Sequence, residues 1–367
     1  MSLVVFFCFF KCATILNIDI ILHLRLINSK SVHIIYEENN LYYRRHNMCT
    51  AASFKNGNTY FGRTLDYEFS YGEKVVITPR KYPFHFRHLG VNNSHYAIIG
   101  MAHIDNDYPM YYDAMNECGL AMAGLNFVGN AVYNEVDQEK DNVAQFEFIS
   151  YILANCKDID EARSEIERIN LVSTPYNDYY PVALLHWILK DSNKCIVVEY
   201  TSSGLTIYDN PTGCMTNNPP FNYQMQNIKN YVALSNDNPN DSFSFENPFY
   251  SRGMGAIGLP GDLSSQSRFV RVAFTSHFSK SSEDEESCVN QFFHILGSVW
   301  QTRGLCKLND KYEITIYASC MSLEKGIYYY KTYDNSMVNA INLYHVDLNK
   351  ENIISYDLAI NRFNNQN

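Results

Sequence analysis

A cysteine, Cys49, stands directly behind a methionine, Met48, where the chain begins to read as a folded domain. With Met48 removed, Cys49 would carry a thiol and a free α-amine on one residue. An unperturbed α-amine titrates at about 7.7–8.0, well placed for a general base at neutral pH. A Thr or Cys paired with its own amine is a self-sufficient nucleophile. Further along, Phe61-Gly62-Arg63-Thr64-Leu65-Asp66 sets a guanidinium and a carboxylate just past a second strand. A guanidinium beside a thiol lowers the thiol pKa, and a carboxylate can orient the amine; the same spacing also suits an ordinary surface ion pair. Gly124-Leu125-Asn126-Phe127 ends a strand with an amide, and Met215-Thr216-Asn217-Asn218-Pro219 offers another in a turn. Either Asn is equally a turn former. Gly258-Leu259-Pro260-Gly261-Asp262 and then Ser267-Arg268-Phe269 place Arg268 at a helix start.

The elements that must position these groups are mostly short strands. Cys49–Phe54 and Thr59–Arg63 flank the turn Lys55-Asn56-Gly57-Asn58, a hairpin signal. Lys74–Thr78, Tyr96–Met101 and Leu120–Leu125 are further apolar runs ending in Gly or Asn. Gln145–Cys156 repeats its apolar residues with a helical period. Asp158–Ile169 opens with Asp158 as N-cap and Glu161 three residues later. Strands resume at Ala183–Leu189 and Cys195–Tyr200, a helix covers about 287–299, and Tyr312–Ser322, Gly326–Tyr333 and Asn339–Val346 form a meander. Strands in blocks and helices in blocks favour an α+β fold of antiparallel sheets with helices outside. Ser235–Ser251, rich in Asn, Pro and Ser, reads as a long loop within one domain.

Composition narrows the function classes. The chain has 367 residues, 46% hydrophobic and 19% charged, enough for a sizeable core. A formal charge of −10 argues against nucleic acid or an anionic membrane as principal partner. The 29 Tyr and 22 Phe suit β-strands and amphipathic pockets. Ten cysteines form no CxxC pair, so no zinc or thioredoxin-like spacing is present, and reduced thiols in a cytoplasm are the simplest account. His85 and His88 lack a nearby carboxylate, and no metal is expected. In the first 47 residues Lys11, Asp19 and Arg25 interrupt the apolar stretches, so no membrane span is expected. A secretory signal would want a basic start and a small-residue cleavage site. Arg44-Arg45 ahead of Met48 would match a ribosome-binding site if both are AGG codons. Residues 1–47 are therefore expected to be an extension outside the mature enzyme, a mis-assigned start or a propeptide, and residues 48–367 a single domain.

Together these segments resemble the choloylglycine hydrolase family, the bile salt hydrolases and penicillin V acylases of the N-terminal-nucleophile superfamily. The strings that carry the resemblance are Met48-Cys49-Thr50, Phe61–Asp66, Asp113-Ala114-Met115-Asn116-Glu117, Ala123–Phe127, Leu185-His186-Trp187, Thr216–Pro219, Gly258–Asp262, Ser267-Arg268-Phe269 and Glu324–Tyr330. They keep the family's order over residues 48 to about 346. The resemblance implies a four-layer αββα sandwich of two antiparallel sheets. It implies Cys49 as nucleophile with its α-amine as proton acceptor, Arg63 against the thiolate, and Asp66 holding amine and thiol. Asn126 (backbone N–H) and Asn217 (side-chain amide) would form the oxyanion hole, and Arg268 would support the developing charge. The reaction implied is amide hydrolysis through a thioester acyl-enzyme, with no cofactor. Asn at position 126 is typical of bile salt hydrolases, so glycine- or taurine-conjugated bile salts are the implied substrates. The implied lining is Leu65, the loop Ile104-Asp105-Asn106, Tyr176, Tyr180 and Ala183, with Asn126. Asp105 replaces an apolar aromatic and Tyr176 and Tyr180 replace aliphatics, which leaves the preferred steroid and the conjugate open.

The leading expectation is thus a cytoplasmic bile salt hydrolase, a homotetramer by resemblance, from a source such as an anaerobic gut bacterium. Its rival within the same chemistry is a penicillin V or N-acyl-homoserine-lactone acylase. From another class comes an unprocessed, inactive membrane-tethered or binding protein, because an internal Cys49 has an amide nitrogen and no base.

Overall fold

Neighbouring residues of single strands enter different cores, and this alternation builds the architecture. The computed structural model describes residues 48–243, 251–308 and 310–360. The expectations for residues 1–47, and for 244–250 of the Asn/Pro-rich loop, lie outside the described residues. In Lys74–Thr78, Val75 and Ile77 join one hydrophobic core while Val76 joins a second. Ile99 and Ile98 divide in the same way, as do Ile188 and its neighbours Trp187 and Leu189. A strand apolar on both faces must be covered on both. These strands therefore sit in the inner layers of a sandwich.

Two antiparallel sheets make those layers among the described residues. The six-stranded sheet runs Cys49–Asn56, Asn58–Tyr67, Lys311–Ser322, Ile327–Thr332, Asn339–Asn342, with Cys306–Leu308 also on Lys311–Ser322. The eight-stranded sheet runs Gly204–Asp209, Cys195–Thr201, Leu185–Lys190, Ala121–Asn126, Tyr108–Asn116, Ile98–Asp105, Lys74–Thr78, Ile354–Asp357. The first hairpin faces Ala121–Asn126 across the gap. Helices Ser265–Phe278 and Glu285–Gly297 cover the outside of the six-stranded sheet, and Phe148–Asn155 covers the eight-stranded one. Ile159–Arg168 packs on Phe148–Asn155, burying Ile159, Ala162 and Ile166. Its cap is as the sequence predicts: Asp158 accepts the Glu161 N–H at 3.0 Å. The result is the αββα sandwich.

Three departures from expectation bear on the site. The second strand continues to Tyr67, so Arg63 and Asp66 lie inside it rather than past its end. Its far edge pairs with Lys311–Ser322, aligning Asp66 with Thr315, so both backbone edges are held. The strand placed at Tyr96–Met101 runs instead over Ile98–Asp105 and returns as Tyr108–Asn116, which Pro109 and Asp113 disguise. Asn106 and Asp107, with φ of 48° and 61°, supply the two-residue turn between them. The stretch expected at Asn339–Val346 stops at Asn342 and passes into the single 3-10 turn Leu343–His345.

Gly62, inside the second strand, lies against the backbone of Lys311–Ser322. A Cβ there would sit 2.0 Å from the Ser319 carbonyl oxygen. Ser319 cannot easily withdraw, since its hydroxyl is bonded to both the Arg63 N–H and Asp113. Gly62→Ala is expected to cost about 2 kcal/mol or more of unfolding free energy, in line with overpacked cores. Urea unfolding measures this, and an unchanged midpoint would contradict the close approach.

Candidate active site

Hairpin register sets the centre of the site. Cys49 pairs with Leu65 and Ala51 with Arg63, so the start of the first strand lies beside the arginine of the second. Arg63 Nη2 donates to Cys49 Sγ at 2.6 Å. The same guanidinium crosses to the other sheet, where Nη1 donates to the carbonyls of Gly124 and Tyr112, and Nε donates to Thr64 O at 3.1 Å. Burial works against its charge, but Cys49, Tyr317, Asp113 and Asp66 outweigh it and raise the Arg63 pKa.

Arg268 reaches the same cysteine from the helix layer. It lies on Ser265–Phe278 and is fully buried. Its Nη1 donates to Cys49 O and to Thr50 Oγ1, both at 2.6 Å, and Nη2 donates to Asn217 Oδ1 at 2.9 Å. Asn217 Oδ1 also accepts the Cys49 N–H at 2.8 Å, and Asn217 Nδ2 donates to Asn126 O at 2.9 Å. Those partners fix which end of the amide is oxygen and leave one Nδ2 proton to give. The segment carrying Asn217 is tied to the first strand by Met215, which exchanges backbone hydrogen bonds with Ala51.

The structure thus joins Cys49, Arg63, Asn217, Asn126 and Arg268 through direct hydrogen bonds. Asp66 is adjacent, but its carboxylate is held by Thr315 Oγ1 at 2.6 Å and Thr64 Oγ1 at 3.0 Å, while its N–H donates to the Met48 carbonyl at 3.1 Å. Burial lifts its pKa to about 6, against the pull of Arg268 and the threonines. Burial also raises the Cys49 thiol, and this outweighs the lowering by Arg63 that the sequence led us to expect. The thiol in this arrangement keeps its proton and needs a base.

Two acids here were not singled out from the sequence. Asp113 belongs to a string that carried the resemblance, with no role attached. It accepts the Tyr317, Ser319 and Tyr328 hydroxyls under Arg63, and burial raises its pKa. Glu313, also buried, accepts the Met48 N–H, and burial together with Asp66 pushes it up to about 8. An acid inside a strand reads as a solvent-facing residue, and no local spacing reveals its buried partners.

The expected substrate-lining residues divide. Leu65 is buried opposite Cys49. Tyr176, Tyr180 and Ala183 make their hydrogen bonds away from Cys49. Tyr176 OH donates to Asp105 O at 2.9 Å, Tyr180 OH pairs with His103 Nε2 at 2.9 Å, and the Ala183 carbonyl accepts Tyr133 OH at 3.0 Å. The Asp105 carboxylate accepts Asn106 Nδ2 at 3.1 Å and Asn177 Nδ2 at 3.4 Å. These side chains clasp the Ile98–Asp105 hairpin end to the 173–184 loop. A separate cavity of about 660 Å³ opens beside the Asn217 turn, lined by Asn130, Asn218, Pro219, Pro220, Tyr223 and Gln266. Among the described residues no cluster of His, Cys, Asp and Glu could hold a metal ion.

An αββα sandwich with a cysteine at the head of an inner strand is the architecture of the N-terminal-nucleophile hydrolases. Residues 49–356 match the model of the linear amide C–N hydrolases of the choloylglycine hydrolase family, and the chain belongs to that family. It is 52% identical over 314 residues to a bile salt hydrolase/transferase from Lactiplantibacillus plantarum, covering 85% of this chain and 97% of that one. A variant of the conjugated bile acid hydrolase from Clostridium perfringens superposes with a TM-score of 0.80 at 34% identity, covering 87% of this chain and 99% of the other. The penicillin V acylase of Agrobacterium tumefaciens shares the fold, with a TM-score of 0.69 at 21% identity over 85% of this chain and 92% of that one. The protein is a C–N hydrolase.

Glu313 gives a pH prediction for the protein that carries Met48. Its folded pKa, about 8, lies above the ordinary carboxyl value of 4.5. Below pH 4.5 the group is neutral in both states and adds no pH dependence. As pH rises toward 8 the unfolded chain ionises it first, and the folded state loses stability over that window. The melting-temperature advantage of Glu313→Gln over the parent should grow from pH 5 to pH 8. A difference that stays flat across this range would show that Glu313 is not the titrating burden.

Proposed function

We propose that this protein hydrolyses the amide bond of glycine- or taurine-conjugated bile salts, with Cys49 as an N-terminal nucleophile. The observation that carries this is the Cys49 thiol 2.6 Å from Arg63 Nη2, on the residue where the family match begins. The bile salt hydrolase names of relatives at 52% and 37% identity support the substrate. We read residues 1–48 as absent from the active form, because the nitrogen of an internal Cys49 is an amide and accepts no proton.

With Cys49 first, its α-amine takes the thiol proton and the thiolate attacks the substrate carbonyl carbon. The oxygen gains the carbonyl's electron pair and is met by the remaining Nδ2–H of Asn217 and by the Asn126 N–H. Arg268, bound to Asn217 Oδ1, polarises that amide as well as orienting it. The ammonium returns its proton to the departing nitrogen of glycine or taurine, leaving a thioester. Water, deprotonated by the same amine, releases the bile acid. Preorganised donors stabilise such an oxyanion without reorganising during the reaction. The protein acts as a cytoplasmic homotetramer in this reading; among its described residues no helix is long and apolar enough to cross a membrane.

Release of glycine and taurine from glycocholate and taurocholate, beside penicillin V turnover, tests the substrate. Cys49→Ala should abolish hydrolysis with the fold kept, and Asn217→Ala should lower kcat by about 10²–10³-fold. Protein beginning at Cys49 should be active, and the 367-residue chain active only after its mass shows loss of residues 1–48. Turnover by protein that retains Met1 would defeat the mechanism. Hydrolysis of penicillin V without either bile salt would defeat the substrate.

A further inference from the structure

His186 is a buried imidazole with no part in the steps above, yet it touches both segments that carry Asn126 and Asn217. It lies on Leu185–Lys190, paired with Leu125 of the neighbouring strand. Its ring stacks on Phe127, the residue after Asn126, with centroids 4.2 Å apart and planes 5° apart. Its Nε2 lies 2.8 Å from the carbonyl oxygen of Thr216, the residue before Asn217. Its Nδ1 lies 3.0 Å from Glu199 Oε1, which also accepts the Phe221 N–H at 2.9 Å, just beyond the Asn217 turn. His186, Glu199 and Thr216 are each 1% exposed.

The proton positions follow from these partners. A carbonyl only accepts, so Nε2 carries a hydrogen. The contact between Nδ1 and Glu199 Oε1 then holds one more proton, whichever atom it sits on. The pair is net neutral in either form, which is what a buried site tolerates. Glu199 Oε2 has no hydrogen-bond partner among the described residues. A buried carboxylate oxygen left bare is costly, and packing alone would be served by an apolar pair of similar volume. The contacts give the pair another role: they set the position of a ring that touches both walls.

We infer that His186, oriented by Glu199, is a positioning residue that holds the Asn126 and Asn217 segments at the separation an oxyanion requires. This rests on the hydrolytic reading of the Cys49 site. Displacing a catalytic group by about 1 Å can cost 10²-fold in rate, so the effect belongs in kcat rather than in substrate binding.

Two substitutions separate this role from bulk packing. His186→Phe keeps a ring on Phe127 but gives nothing to Thr216 O, whereas the amide of His186→Gln can still donate there. Rates are taken per titrated Cys49 thiol in folded protein. His186→Phe should lower kcat by about 30- to 100-fold with KM changed less than about 3-fold, and His186→Gln should stay within about 5-fold of the parent. An aldehyde analogue of the acyl group, to which the Cys49 S–H adds to form a thiohemiacetal, should lose affinity for His186→Phe by the same factor as kcat, while the free acid product binds as before. Should His186→Phe not fold, Glu199→Leu takes its place: it leaves the imidazole Nδ1 without a partner and should show the same kcat loss with KM unchanged. A His186→Gln variant as impaired as His186→Phe, a loss confined to KM, or an unaltered kcat in Glu199→Leu would each overturn the assignment. A parent that cleaves penicillin V and neither bile salt ends the substrate reading above, and the same ratios measured on penicillin V then decide this one.

Discussion

Two guanidinium groups are buried where the sheets and the helix layer meet, and the arrangement of the site follows from satisfying them. An unpaired charge in such a place costs several kcal/mol. Arg63 leaves the six-stranded sheet and is received by carbonyls of Tyr112 and Gly124 on the eight-stranded one. Arg268 descends from its helix onto the Cys49 carbonyl, Thr50 and Asn217. Both therefore converge on one residue from different layers. The thiol is held by the sandwich as a whole, and no single loop can move it.

The acids that balance these cations share their burial. Burial raises the pKa of Asp66, Asp113 and Glu313 alike, and each is met by hydroxyl or backbone donors. Burial also holds up the thiol they surround, whose partner here is a cation that cannot take its proton. The site thus presents a fixed thiol and a fixed pair of amides, and among the described residues no separate base lies against the sulfur. In the proposed mechanism an amine on the cysteine itself supplies that base.

Much of this was readable along the chain, and the limits have physical causes. The Asn-Gly turn, the Asp158 cap and the strands with alternating or continuous apolar runs are local signals, and they appear where expected within a few residues. Cys49, Arg63, Asn126, Asn217 and Arg268 are far apart in sequence, and only the family's ordered motifs grouped them before the structure brought them into contact. The strand Tyr108–Asn116 was missed because Asp113 and Pro109 read as loop residues; Asp113 is tolerated through Arg63 and three hydroxyls from strands more than two hundred positions later. His186 and Glu199 carried no legible function for the same reason. Their meaning lies in which backbone segments they touch.

The loop clasp has a different standing from the seam. The groups around Cys49 sit mostly on strands or a helix locked by paired edges and buried charge. Tyr176, Tyr180, His103 and Asp105 hold the 173–184 loop to the neighbouring hairpin through single hydrogen bonds between partly exposed groups. Such contacts can be exchanged one at a time with little effect on the core. The molecule therefore joins a rigid part to an adjustable one. Substitutions can reshape the second while the first stays in place.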